Sequence, residues 1–218
     1  MSIPSAYYKA VRRPVADFLP LHYSTVLEIG CGEGGFHENL IRGSEHWGIE
    51  PNHVAANIAR SKLYRVIPLS YQEALDQLPN DYFDLAICND VIEHMPNHDE
   101  FLQSIKQTIK KDAYLVGSIP NVRYVTNLFE LLFMRDWKYE DAGILDRTHL
   151  RFFTEKSLKR TFHENGFIIE QFSGINKVKV ELMPPKQLLK NALILLFGSD
   201  TRFLQFGFRL KYTGPSHK

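Results

Sequence analysis

The chain has 218 residues, a length that suits one ordinary domain, and its 44% hydrophobic and 12% aromatic content is enough for a full core. With 26 basic against 25 acidic residues the net charge is +1, so no electrostatic footprint points to nucleic acid. Its two cysteines, Cys31 and Cys88, exclude a disulfide framework, the opening MSIPSAYYKAVRRP lacks the apolar core of a signal peptide, and the longest apolar run, Ala192–Phe197, falls far short of the roughly 20 residues of a membrane span. The expectation is a soluble, cytoplasmic protein with no transmembrane segment, a monomer or homodimer.

Short apolar runs predict strands at Thr25–Ile29, His46–Glu50, Arg65–Leu69, Phe83–Cys88, Ala113–Ile119 and Phe167–Phe172. Between them, helical patterns fall near Phe36–Arg42, His53–Ser61, Tyr71–Gln77, Asp99–Lys110, Val122–Phe133 and Thr154–Asn165. Thr154 reads as an N-cap and Asn165-Gly166 as a helix stop. This alternation predicts an α/β fold: a doubly wound, mostly parallel sheet with helices on both faces. The reading is one domain over residues 1–218. An aromatic and charged insertion spans about 121–153, and an extension starts near 181 with an apolar run, Leu188–Phe197, and a final strand at Phe206–Tyr212.

The stretch TVLEIGCGEGGF, Thr25–Phe36, carries the chemistry. Glycines at a strand-to-helix turn let backbone approach a ligand and expose the amides of a helix N-terminus. Gly30, Gly32 and Gly35 match G-x-G-x-x-G, and Glu50 lies 20 residues after Gly30, where an acid can bind ribose hydroxyls. This spacing fits both a nicotinamide dinucleotide and S-adenosylmethionine. Glu28 separates them, because a carboxylate there would repel a pyrophosphate and suits the ammonium and sulfonium of S-adenosylmethionine.

Two further segments join the loop: FDLAICNDVIEHMPN at Phe83–Asn97 and GSIPNVRY at Gly117–Tyr124. Together with LEIGCGEG and GIEPN, this set resembles the class I S-adenosylmethionine-dependent methyltransferases, over roughly Val26 to Phe172. The resemblance implies a Rossmann-like sheet with an antiparallel final strand. It implies S-adenosylmethionine as cofactor, with S-adenosylhomocysteine as product. Glu28, Gly30, Cys31, Gly32 and Gly34 would form the loop under the methionine part. Glu50 would hold the ribose, with Pro51 beside the adenosine, Ser70 and Tyr71 near the adenine, and Asn89 and Asp90 beside the methyl donor. Where many relatives place an acid near the adenine, this chain has Ser70 and Tyr71, so Tyr71 stacking or a backbone group is the substitute expected.

The segment LDRTHLRFFT, Leu145–Thr154, is similar to a group that often acts on sugars or envelope-glycan precursors, while related members act on quinone precursors. The expected reaction is O-methylation of a small molecule, with His149 as general base and Asp90 as a positioning group. A quinone or aromatic acceptor and a non-catalytic cofactor-binding partner are the alternatives. Tyr124, Phe129, Phe133, Trp137 and Tyr139 are candidates for the acceptor pocket or for core packing. Arg123, Arg135, Arg147 and Arg151 are the cations nearest to it. The cluster Asp90, Glu93, His94 and His98 matches no firm ligand spacing, so no metal is expected.

Overall fold

The computed structural model describes residues 11–178 and 185–214; the first ten residues and the predicted start of the extension near 181 lie outside them. Seven strands form one sheet: β1 (Thr25–Ile29), β2 (Glu45–Ile49), β3 (Arg65–Ile67), β4 (Phe83–Asn89), β5 (Ile109–Pro120), β6 (Ile168–Lys177) and β7 (Phe203–Lys211). Their order is β3-β2-β1-β4-β5-β7-β6. β1 to β5 pair in parallel, and β7 runs antiparallel to both β5 and β6. This is the predicted Rossmann-like sheet with its antiparallel final strand.

The helices are α1 (Arg13–Ala16), α2 (His53–Ala59), α3 (Tyr71–Ala74), α4 (His98–Thr108), α5 (Val125–Phe129), α6 (Glu155–Glu164) and α7 (Pro185–Phe197). None is long and apolar enough to cross a membrane among the described residues. β1 and β4 are buried almost end to end, as strands covered on both faces must be. Their side chains alternate between two apolar clusters. Val26, Leu85 and Ile87 meet Val15, Phe18 and Phe36 on one face. Leu27, Ile29, Ala86 and Cys88 share the other with Phe101, Ile105, Leu158 and Phe162. α6 starts as predicted, since Thr154 accepts from the Ser157 amide and closes a capping box.

Three elements differ from the sequence reading. The expected helix at Phe36–Arg42 is a 3₁₀ turn at Gly35–Asn39. The expected helix at Val122–Phe133 is α5 running into a π-helical turn, Glu130–Met134, which Arg135 ends in the left-handed conformation. β6 runs on to Lys177 and pairs with a β7 that begins at Phe203, because this outer strand is half exposed and SGINK carries no apolar run to announce it.

Asp84 ties the lower edge of the sheet together. One carboxylate oxygen accepts from the Ser24 and Thr25 amides at 2.9 and 3.0 Å, and the other from Lys110 Nζ at 2.7 Å. Burial pushes its pKa up, but Lys110 and the amides outweigh that and hold it well below the usual carboxylate range. The stability this contributes is therefore present above the unfolded pKa of about 3.9 and is lost as pH falls through the lower folded value. Asp84→Asn is expected to lower the urea midpoint at neutral pH and to flatten the acid loss seen in the wild type. An equal shift at neutral and acid pH would refute this role.

Candidate active site

Between β1 and β4 the chain switches direction across the sheet, and a crevice opens at the carboxyl ends of the strands there. A cavity of about 360 Å³ occupies it. Glu28, Gly30, Cys31, Gly32, Glu50, Pro51, Ser70, Tyr71 and Asn89 all line this cavity, with Arg12, Gln72, Val91, His94, Met95 and Thr148. Gly34 lies off its wall and serves the turn, with φ +75° and its amide on the Cys31 carbonyl at 2.9 Å. A depression of about 460 Å³ lies at the opposite strand ends, around His22, Asp84 and Lys110, far from the glycine loop.

The loop amides are not offered to a ligand in the way its glycine spacing suggests. The Gly30 and Cys31 amides both donate to the Ile49 carbonyl, at 2.8 and 3.1 Å. The Gly32 amide donates to Glu50 Oε2 at 2.9 Å. The loop leads into the 3₁₀ turn rather than a long helix, so it lacks the aligned dipole of a phosphate site. Gly30 is needed here for its φ of +70°, and a Cβ would stand 3.0 Å from the Val91 side chain. Gly48 lets β2 pass the loop, where a Cβ would stand 2.5 Å from Cys31 Sγ. Burial, then Glu28 and Glu50, push the Cys31 thiol far up, so it stays protonated.

Two buried polar groups line the cavity with hydrogen-bonding capacity left over among the described residues. Glu28 is 3% exposed, and its Oε2 lies 3.1 Å from His46 Nε2 as an ion-pair contact off the hydrogen-bond direction. Asn89 is 4% exposed, and neither its amide nitrogen nor its oxygen is bonded. Leaving a group such as Asn89 unpaired costs about 1–3 kcal/mol, so it fits a bound ligand. A buried acid beside an uncommitted amide, with the loop amides consumed internally, suits a cationic cofactor without phosphates. Glu50 adds an acceptor: burial raises its pKa, while the Asn52 and Gly32 amides draw it down. Each of its oxygens takes one amide and keeps a lone pair for a ribose hydroxyl.

Ser70 spends its hydroxyl on the capping box that starts α3 with Glu73. Tyr71 is 3% exposed, sets its ring edge-on to Phe101, and shares a 3.0 Å hydrogen bond with Ser104. Burial pushes its pKa up to about 12. Tyr71→Phe is expected to cost about 0.5–1.5 kcal/mol of stability and to leave cofactor affinity unchanged. A loss of affinity at unchanged stability would show that the hydroxyl reads the adenine.

Asp90 stands at the end of β4 with φ +53°, a conformation a non-glycine residue keeps only when its surroundings impose it. They do: its carboxylate meets the Arg12 guanidinium, accepts from Ser118 Oγ at 2.8 Å, and accepts from Gln205 Nε2 at 2.7 Å. Asp90 is thus a fixed wall, shared by the first cavity and a second of about 120 Å³. The second cavity is walled by Glu93, Pro120, Gly143, Ile144, Asp146, His149, Leu204 and Gln205.

His149 reaches this smaller cavity from the insertion, whose ends meet in a bridge between Asn121 and Phe153. Its Nδ1 lies 2.8 Å from the Ile144 carbonyl, so the proton sits on Nδ1 and the lone pair on Nε2. That Nε2 is 3.9 Å from Glu93 Oε1. Burial, then the charge of Asp90, push the Glu93 pKa well up. The expected aromatic lining is not what walls this cavity. Trp137 and Tyr139 pack on Phe152, Phe129 packs on Phe133, and Tyr124 packs beside α7. Arg123 is a strut to Asp200 at 2.7 Å, Arg147 pairs with Asp141, and Arg151 reaches the Pro96 carbonyl. Sequence reasoning missed Arg12 and Gln205, which carry no local motif, and undervalued Glu93, whose burial only the fold reveals.

The family profile described as "Methyltransferase domain" matches residues 6–171. A mouse protein named "Ubiquinone biosynthesis O-methyltransferase, mitochondrial" is 26% identical over 171 residues, covering 72% of this chain and 44% of that protein. The "Ubiquinone biosynthesis O-methyltransferase" of Rhodopseudomonas palustris (strain HaA2) is 27% identical over 170 residues, covering 69% and 60%. The chain thus spans about half the length of the curated relatives it matches. Among solved structures, a SAM-dependent methyltransferase from Archaeoglobus fulgidus superposes with a TM-score of 0.65 at 21% identity, covering 95% of this chain and 94% of that one. A possible histamine N-methyltransferase from Thermotoga maritima gives 0.61 at 19%, covering 94% and 88%. These two likenesses speak for the fold. With the profile spanning most of the sheet and a crevice built for a cationic adenosine cofactor, this chain belongs to the methyltransferase-domain family, among the class I S-adenosylmethionine-dependent methyltransferases.

Proposed function

We propose that this chain methylates an oxygen of a small molecule, with a phenolic hydroxyl on an aromatic precursor as the acceptor. The observation that carries the reading is the pair of cavities sharing Asp90, one lined by buried Glu28 and the unpaired Asn89 and the other by His149. The relatives' names support the aromatic acceptor.

S-adenosylmethionine supplies a methyl carbon already activated by a sulfonium, so one carbon–oxygen bond forms, one carbon–sulfur bond breaks, and a neutral thioether remains. The residues of the chain bind and align. Glu28 faces the positive charge of the methionine part, and Glu50 takes the ribose hydroxyls. Asp90 fixes the wall between the cavities so that the acceptor oxygen approaches in line. Alignment of this kind supplies about 7–11 kcal/mol of the barrier. His149 is the residue through which the acceptor proton is lost, since its Nε2 carries the lone pair beside the smaller cavity.

A sugar hydroxyl is the second reading, supported by LDRTHLRFFT, the segment that carries His149. Labelled S-adenosylmethionine incubated with parallel panels of phenols and sugars tests both. Transfer to phenols alone is expected, and transfer to sugars alone would replace the acceptor. Calorimetry with S-adenosylmethionine and NAD tests the cofactor, and tight NAD binding without S-adenosylmethionine binding would overturn the whole reading. Cofactor binding without turnover on any acceptor would leave a binding module.

A further inference from the structure

Glu93 is 1% exposed, and neither carboxylate oxygen meets a hydrogen-bond partner among the described residues. Two imidazoles surround it: one ligand atom each from Glu93, His94 and His149 lies within 4.8 Å of the others. Both rings are turned by backbone carbonyls. His149 Nδ1 lies 2.8 Å from the Ile144 carbonyl, and His94 Nδ1 lies 3.2 Å from the Thr148 carbonyl. A carbonyl only accepts, so the His149 proton sits on Nδ1. His94 Nδ1 is also 3.2 Å from the Thr148 hydroxyl, whose own proton goes to Asp146 Oδ1 at 2.7 Å, so its proton sits on Nδ1 too. Each Nε2 keeps its lone pair, the usual preparation of a metal-binding histidine. The backbone holds the group together, because the Glu93 carbonyl accepts from the Leu150 and Arg151 amides at 2.8 and 3.1 Å, just beyond His149.

We propose that Glu93, His94 and His149 bind one first-row divalent ion, such as zinc or manganese, at the boundary of the two cavities. Two imidazoles and a carboxylate are the donor set of such ions. His94 lines the larger cavity, while Glu93 and His149 line the smaller. Three protein ligands leave coordination positions open to an acceptor, as in catalytic rather than structural sites. The role of the ion rests on the oxygen-methylation reading. With the ion in place, an acceptor hydroxyl bound to it has a lowered pKa and loses its proton to solvent, and His149 serves as a ligand in place of the free-base role it has in the metal-free reading. The spacing along the chain hides this site, since His149 comes from the insertion and only the fold brings it to the Glu93-His94 pair.

The full chain, stripped with a chelator, is titrated with zinc chloride and with manganese chloride by calorimetry, with thermal unfolding in parallel. One ion per chain and a raised Tm are expected. Glu93→Gln and His94→Gln should each weaken binding by at least about tenfold, the lower end of what even outer-sphere partners cost. His98→Gln, a neighbouring histidine outside the cluster, should bind as the wild type does. Should a cluster variant fail to fold, the cobalt(II)-loaded wild type gives a second readout, a visible ligand-field spectrum that zinc displaces. No ion uptake by the wild type, or wild-type affinity in both folded variants, overturns the proposal. Metal-free chain that transfers methyl at full rate overturns the role of the ion and leaves the proposed reaction standing. One ion bound by a chain that does not bind S-adenosylmethionine does the reverse.

Discussion

Glu50→Ala is expected to weaken S-adenosylmethionine binding by roughly 100-fold, with the protein still folded. The carboxylate does two jobs from one position. It accepts the Gly32 amide at 2.9 Å and the Asn52 amide at 2.8 Å, which fixes the glycine loop against the end of β2. Its remaining lone pairs face the cavity. Hydrogen bonds to a charged group are worth about 1.5–3 kcal/mol each, and losing about 3 kcal/mol corresponds to about two decades in affinity. Glu50→Gln should fall between, because its amide oxygen can still take one of the two backbone donors. Calorimetry measures the affinity and urea unfolding checks the fold. Unchanged affinity in Glu50→Ala would remove this residue from the cofactor site.

His149→Ala is expected to slow methyl transfer by about 10²–10⁴-fold while leaving cofactor affinity within a factor of two or so of the wild type. The separation follows from the architecture. His149 lines the smaller cavity only, while the glycine loop, Glu28, Glu50 and Asn89 line the larger one from the ends of β1, β2 and β4. The effect should fall on kcat rather than on cofactor Kd. A His149→Ala protein that keeps its full transfer rate would remove His149 from the chemistry, and a matching collapse of cofactor affinity would make it a structural post.

That the glycine loop and Glu50 gather at one crevice was legible because the pattern is local. Glu28, Gly30, Gly32 and Glu50 sit at the ends of two consecutive strands, and buried parallel strands announce themselves as apolar runs. What glycine spacing could not convey is where the amides go. The same spacing serves a phosphate when the amides are free, and here Ile49 and Glu50 consume them. The walls of the smaller cavity were illegible because their contacts are distant. Asp90 is fixed by Arg12, 78 positions away, and by Gln205, 115 positions away, and no local pattern encodes either pairing. Of the two readings open for the aromatic-rich insertion, packing is the one these contacts show: Trp137 and Tyr139 both pack on Phe152 and so support the insertion from within.

The bridge between Asn121 and Phe153 brings both ends of the insertion to the tip of β5, where the Asn121 amide donates to the Leu204 carbonyl at 2.9 Å. A segment anchored this way behaves as a detachable cassette. Exchanging it for one of another length adds little loop-closure entropy, because its ends are already together. Since His149 travels inside that cassette and Glu93 stays behind on the scaffold, the proposed function predicts that a grafted segment supports transfer only if it returns a matching side chain opposite Glu93. Swaps designed on pocket shape alone should yield chains that bind cofactor well and turn over poorly.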